Sequence, residues 1–213
     1  SFLLDRLEEM NRDKEHFFYK SIDEDDIGVT GHSFGGFTAT TVPCLDARIK
    51  ASVPQSPVIV MAEYFGCDLD QYSVPIMVMG GTKDKTIEWI GQYCEYRLLG
   101  EQERWLFELK DAGHFTFSDM CNLDLVRLSE ELDFGDAEDA MEDGCSPTDN
   151  IPWPTAAGLI NHYATAFFNK VLRHSPGSAD YLINSGDDPF PWVHLYEGDV
   201  PDWPDGGCKS EEK

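Results

Sequence analysis

A serine, a histidine and an aspartate in this sequence stand where acyl-transfer chemistry would need them. Gly31-His32-Ser33-Phe34-Gly35 has the form Gly-x-Ser-x-Gly. It follows the short apolar run Ile27-Gly28-Val29-Thr30 and opens a helical stretch over 37–42. A strand that passes straight into a helix through so tight a turn strains the serine backbone and holds its Oγ clear of the sheet. Side chains at 31 and 35 are expected to collide with the neighbouring strand and helix, which explains glycine at both. The helix N-terminus favours negative charge developing beside Ser33, and the backbone N–H of Phe34 is the expected oxyanion donor.

A serine hydroxyl is a weak nucleophile and needs a base. His114 is the best placed of six histidines, in Asp111-Ala112-Gly113-His114-Phe115, directly after the apolar run Trp105-Leu106-Phe107-Glu108-Leu109. His32 lies inside the turn and is expected to point away from Ser33 and either shape the pocket or pack. His16, His162, His174 and His194 fall on helix or tail segments. The base needs a carboxylate to hold its tautomer and stabilise the imidazolium. Asp84 supplies one, because Gly80-Gly81-Thr82-Lys83-Asp84 follows the run over 75–81. Asp111 competes, but it is only three residues from His114 in the same loop. Asp68 and Asp70 are weaker competitors. Trp89 and Phe115, with Phe117, Trp153 and Trp192, are candidates to line an apolar acyl pocket.

These residues need elements to carry them. The runs over 27–30, 49–53, 75–81 and 105–109 read as strands, the third bounded by Pro75 and Gly80. Helical patterns cover 2–10, 37–42, 87–99 and 156–172, the last with Leu159, Ile160, Tyr163, Phe167 and Val171 on one face. Strands alternating with helices predict an α/β fold with a mostly parallel sheet. Ser33, Asp84 and His114 then follow three different strands and converge on one sheet edge.

Residues 119–150 differ in character, with eleven acidic residues and one basic residue, Arg127. Leu123, Val126, Leu128 and Leu132 suggest helix before a loop over 134–150. The stretch reads as an acidic, lid-like insertion. It has no EF-hand spacing that would make it a calcium site. One domain over 1–175 is expected, with an irregular tail over 176–213 packed on it.

Lys and Arg number 16 against 40 Asp and Glu, a net charge of −24. That balance argues against a nucleic-acid surface and repels anionic substrates at long range. No run of about 18 apolar residues suggests a membrane span. Cys44, Cys67, Cys94, Cys121, Cys145 and Cys208 show no metal-site spacing, so no metal or cofactor is expected. Two readings stand, buried free thiols in a cytoplasmic enzyme or one to three disulfides in an exported, secreted or periplasmic one; the second is favoured, with the pairing open.

Several stretches carry a family resemblance: Ser1-Phe2-Leu3-Leu4-Asp5-Arg6-Leu7, Ile22-Asp23, 27–36 with Gly31-His32-Ser33-Phe34-Gly35-Gly36, 74–86 and Gly113-His114-Phe115. Their order resembles bacterial α/β-hydrolases grouped as predicted dienelactone hydrolases and platelet-activating factor acetylhydrolase-like esterases. Cutinase-like polyesterases share a similar serine turn and Gly-His-Phe. The resemblance covers about residues 1–120. It implies a serine ester hydrolase that forms an acyl-enzyme, with Ser33 as nucleophile, His114 as base and Asp84 as orienting acid; the substrate, expected to be a small or polymeric ester, does not carry over from these families. Dienelactone hydrolases proper use cysteine where Ser33 stands. Mammalian acetylhydrolases carry their acid after the strand that follows the elbow, where this chain reads Pro54-Gln55-Ser56-Pro57. The resemblance also places the elbow on the fifth of eight strands, and here it is the first. The expectation is therefore the C-terminal part of an α/β-hydrolase fold, with the N-terminal remainder supplying the second oxyanion donor, in a partner chain or elsewhere. On that expectation the 213 residues alone neither fold stably nor turn over substrate.

Overall fold

The apolar run after Pro75 forms the most enclosed strand of the sheet. In a computed structural model, which describes residues 2–100, 103–124, 127, 139–182, 190–203 and 207–208, this strand, β3 (Ile76–Gly81), is buried along its whole length. Alternation sends Ile76 and Val78 into one core and Met77 and Met79 into another, so both faces of the sheet are covered. β1 (Ile27–His32), β2 (Ile49–Gln55), β3 and β4 (Arg104–Leu109) lie side by side in chain order, and all of these pairs are parallel. Helices flank them, and the fold is α/β.

α2 (Phe34–Leu45) and α3 (Trp89–Tyr96) carry the crossovers after β1 and β3. Tyr93 and Tyr96 of α3 pack with Ile76, Val78 and Leu106 on one face. α4 (Trp153–Val171) covers the other face with Leu159, Ile160, Tyr163 and Phe167. There the Trp105 and Phe167 rings meet edge-on at 5.4 Å. Burying a side chain the size of Phe167 stabilises the fold by about 2–3 kcal/mol. α1 (Phe2–Arg12) has no fully buried residue and is tied down by Arg48, which pairs with Asp5 and Glu8.

The tail differs from the expected irregular segment. β5 (Val193–Glu197) joins β4 antiparallel, with Leu195 opposite Phe107. Val193 and Leu195 are buried while His194 and Tyr196 are partly exposed, the period of two that a half-buried strand requires. A Cys94–Cys208 disulfide pins the chain beyond β5 to α3. Cys44 pairs with Cys67 and Cys121 with Cys145. The helix expected around Val126, Leu128 and Leu132, with most of the acidic stretch, lies outside the described residues. Its described ends are a 3₁₀ turn at Asp119–Asn122 and a turn at Met141–Cys145. Among the described residues, no helix is long and apolar enough to cross a membrane.

Because β1 to β4 run the same way, the chain leaves β1, β3 and β4 at the same edge of the sheet. Ser33, Asp84 and His114 follow those three strand ends directly.

Candidate active site

Ser33 connects β1 to α2 with φ 57 and ψ −116. A non-glycine residue in that region costs about 1–3 kcal/mol and persists only where its surroundings impose it. Main-chain bonds impose it here. The Ser33 N–H donates to the Gln55 carbonyl at 2.9 Å, and the Ser33 carbonyl accepts from the Phe37 N–H at 2.9 Å. Close approach completes the constraint, but not at both expected glycines. A Cβ on Gly31 would lie 2.5 Å from the Gly35 carbonyl oxygen, whereas one on Gly35 would meet nothing. The second sterically required glycine is Gly36, where a Cβ would lie 2.6 Å from the Gln55 carbonyl oxygen.

Serine at a helix N-cap usually turns its hydroxyl onto the first helical N–H groups. Ser33 makes no such capping bond. Its Oγ lies 2.9 Å from His114 Nε2 instead. His114 Nδ1 lies 3.0 Å from Asp84 Oδ2. Asp84 Oδ1 accepts from the N–H groups of Thr86 (3.0 Å) and Ile87 (2.7 Å), and Oδ2 also accepts from Gln92 Nε2 (3.3 Å). Every partner of that carboxylate is a donor, so the imidazole proton sits on Nδ1 and the Nε2 lone pair faces the serine hydroxyl. His114 is 3 % exposed and the Asp84 side chain 0 %, which shields this pair from water while Ser33 stays accessible. The arrangement can take the proton of Ser33 as its oxygen attacks and return it to a leaving group. Phe34 N–H, at the first position of α2, belongs to the helix-end groups that lack an intrahelical partner and suits an oxyanion.

The competing carboxylate Asp111 turns away to an ion pair with Lys83 at 2.8 Å. Asp68 and Asp70 stay in the loop after Cys67, and the carboxylate on His114 Nδ1 is that of Asp84. His32 does not simply point away. Its ring lies 4.6 Å from that of His114, with Phe117 stacked behind it at 6.3 Å. Burial first, and then the neighbouring His114, push His32 down to about 4, so it is neutral at pH 7 and packs as an apolar wall. Its Nε2 is buried without a hydrogen-bond partner among the described residues.

The expected pocket aromatics divide. Trp89 belongs to the core on the α3 face, where its ring closes over Gly80 and Tyr93. Phe117 is core on the other face. Phe115 stands edge-on to His114 and, like Met120 and Met141, packs against Ala140. Trp153 donates its Nε1–H to the Ser118 carbonyl, and Trp192 lies beyond β4 at the start of the tail strand. An aromatic strip was not foreseen. Phe34, 75 % exposed, leans on Phe37 at 5.4 Å, and Phe37 on Phe65 at 5.3 Å, with Phe65 56 % exposed. Adjacency of Phe34 to Ser33 was a usable signal; nothing in the sequence around Phe65 was.

A second carboxylate was also missed. Asp143, from the far end of the acidic stretch, is buried against the loops that carry Asp84 and His114. Among the described residues, no group of three or more His, Cys, Asp or Glu is placed to hold a metal. Compared with known proteins, the chain matches no family model and no curated protein, so the chemistry of the site has to speak for its role.

Proposed function

We propose that this chain is a serine carboxylic ester hydrolase that works through an acyl-enzyme. One observation carries the reading: Ser33, His114 and Asp84 form an unbroken hydrogen-bonded series at 2.9 and 3.0 Å from three separate strand ends. Ser33 Oγ attacks the ester carbonyl carbon while its proton passes to His114 Nε2. Negative charge gathers on the carbonyl oxygen, toward Phe34 N–H. The intermediate collapses, the C–O bond breaks, and His114 protonates the departing alkoxide. A water molecule then gives its proton to His114 and attacks the acyl carbon, releasing the acid and restoring Ser33.

The Phe34–Phe37–Phe65 strip beside the nucleophile, buried at Phe37 and exposed at both ends, favours an apolar group on the substrate. The net charge of −24 disfavours an anionic one. The substrate class is thus a neutral ester with an apolar acyl or alcohol part. We further read the sheet as the C-terminal portion of an α/β-hydrolase fold. β1 pairs only with β2 among the described residues, which leaves its other edge open for strands that would also bring the second oxyanion donor. The three disulfides support residence in an oxidising compartment outside the cytoplasm.

Ser33→Ala and His114→Ala are each expected to lower kcat on p-nitrophenyl esters by about 10⁴–10⁶-fold with the fold retained. Turnover unchanged in either variant overturns the proposal. Failure of a fluorophosphonate to label Ser33 in the complete protein points instead to a hydrolase-like binding domain. A panel of acyl lengths, polyester film and peptides separates esterase from lipase, polyesterase and peptidase.

A further inference from the structure

We infer that Asp143 is a positioning residue for the acid–base pair, and that it works by clamping the His114 and Asp84 loops to each other. The inference rests on the ester-hydrolase reading for its kinetic consequence, but not for its geometry.

Asp143 is only 6 % exposed, unusual for a carboxylate outside the triad. Buried charge is tolerated when its lone pairs are met, and here each oxygen meets a donor on a triad loop. Oδ1 accepts from the backbone N–H of His114 itself at 2.9 Å and from that of Lys85 at 3.0 Å. Oδ2 accepts from Thr86 Oγ1 at 2.8 Å. Lys85 follows Asp84 directly. The bonds therefore close a ring, from the Asp84 side chain to the His114 side chain, along the His114 main chain to Asp143, and back through Lys85 to Asp84. One carboxylate fixes the far end of the imidazole, and the other fixes its root.

The segment that brings Asp143 is itself seated against the base loop. Gly144 has φ +129, a conformation suited to glycine, and a Cβ on Gly113 would lie 2.6 Å from the Asp143 carbonyl carbon. Thr116 Oγ1 donates to the Gly144 carbonyl and accepts from the Gly113 N–H, both at 3.0 Å. Cys145, two residues on, is bonded to Cys121 in the turn that follows His114. Glycine contact, threonine bridge and disulfide all converge on one carboxylate.

Asp143 lies behind the imidazole and not toward Ser33, so its removal acts on geometry rather than on substrate affinity. Misplacement of a reacting group by about 1 Å costs roughly 100-fold. In the full-length chain, Asp143→Ala is expected to lower kcat by about that factor with KM unchanged. It should also remove the downfield Nδ1 proton resonance of His114 in the NMR spectrum. Asp143→Asn should restore both, because its Oδ1 still accepts the two backbone N–H groups and its amide can donate to Thr86. Should Asp143→Ala fail to fold, Thr86→Val, which removes a single bond to Oδ2, is expected to lower kcat up to about tenfold at constant KM. Wild-type kcat and an intact Nδ1 signal in Asp143→Ala, an Asn variant as impaired as the Ala variant, or no change in Thr86→Val each overturn the inference. If the wild type itself turns over no ester, the resonance still reports whether Asp143 holds the pair, so the two failures are separable.

Discussion

Ser33 stands where it does because main-chain atoms leave it nowhere else, whereas His114 and Asp84 are held by hydrogen bonds that each have a side chain as at least one partner. Around Ser33 the constraint comes from the Gln55 and Gly35 carbonyls, the absence of Cβ atoms at Gly31 and Gly36, and a helix that starts at the next residue. Around the acid–base pair, the Thr86 and Ile87 N–H groups and the Gln92 amide hold Asp84, while Asp143 and Thr116 lock the loop of His114. The constraint on Ser33 is written mostly in residues 31–37, with Gln55 of β2 as the outside partner, and leaves no side-chain volume at Gly31 or Gly36. A side-chain constraint is spread over distant segments and fails one bond at a time. The two halves of this hydrogen-bonded series should therefore respond differently to mutation.

The largest expected effect breaks the side-chain half at its centre. Asp84→Asn preserves the shape but presents an amide to His114 Nδ1, which favours the wrong tautomer. A fall of about ten-thousand-fold in kcat is expected, with thermal stability little changed. Kinetics and a melting curve together check it; a fall below tenfold would mean that Asp84 only buttresses the loop. Gly36→Val tests the main-chain half and should show the opposite pattern. Its branched side chain meets the Gln55 carbonyl oxygen, so the loss appears as stability, about 3 kcal/mol or more by urea denaturation. Native-like stability in that variant would show that the elbow yields more readily than its contacts imply.

The smallest effect concerns His32, which belongs to the elbow but packs on the base. Folding brings it from the ordinary histidine value of 6.5 to about 4. Between those values the unfolded chain takes up a proton that the folded chain refuses. The stability His32 allows above pH 6.5 is thus lost progressively as pH falls toward about 4, by up to about 3 kcal/mol. His32→Phe should flatten this part of the pH–stability curve, measured by melting temperature from pH 7 to 4. A curve as steep as the wild type assigns the acid sensitivity to other groups.

The same contrast governs what could be read without the structure. Gly-x-Ser-x-Gly after an apolar strand is a local constraint, so Ser33, its strand and its helix were legible. So were Asp84 and His114, because parallel strands send their following loops to one edge. The even cysteine count suggested disulfides but carried no information on pairing, which depends on which loops meet. β5 was missed although Val193-His194-Leu195-Tyr196-Glu197 alternates, because its neighbours are rich in Gly, Pro and Asp. Asp143 was illegible for a different reason. It is one of eleven acids in 119–150, and little in the sequence marks it beyond the adjoining Gly144-Cys145, a glycine able to turn the chain beside a possible crosslink. For Trp89 the residue type fits a pocket wall or the core equally, and α3 turns it into the core.

The Cys121–Cys145 bond joins residues 24 apart in sequence whose Cα atoms are 4.8 Å apart. The bond therefore closes a covalent loop that contains Asp143, two residues before Cys145. Each doubling of such a loop's length adds only about 0.6 kcal/mol of closure entropy. The crosslink thus works as a tether: a carboxylate whose hydrogen bonds are broken stays within a short reach of the turn that follows His114 and has little distance to cover before it re-forms them.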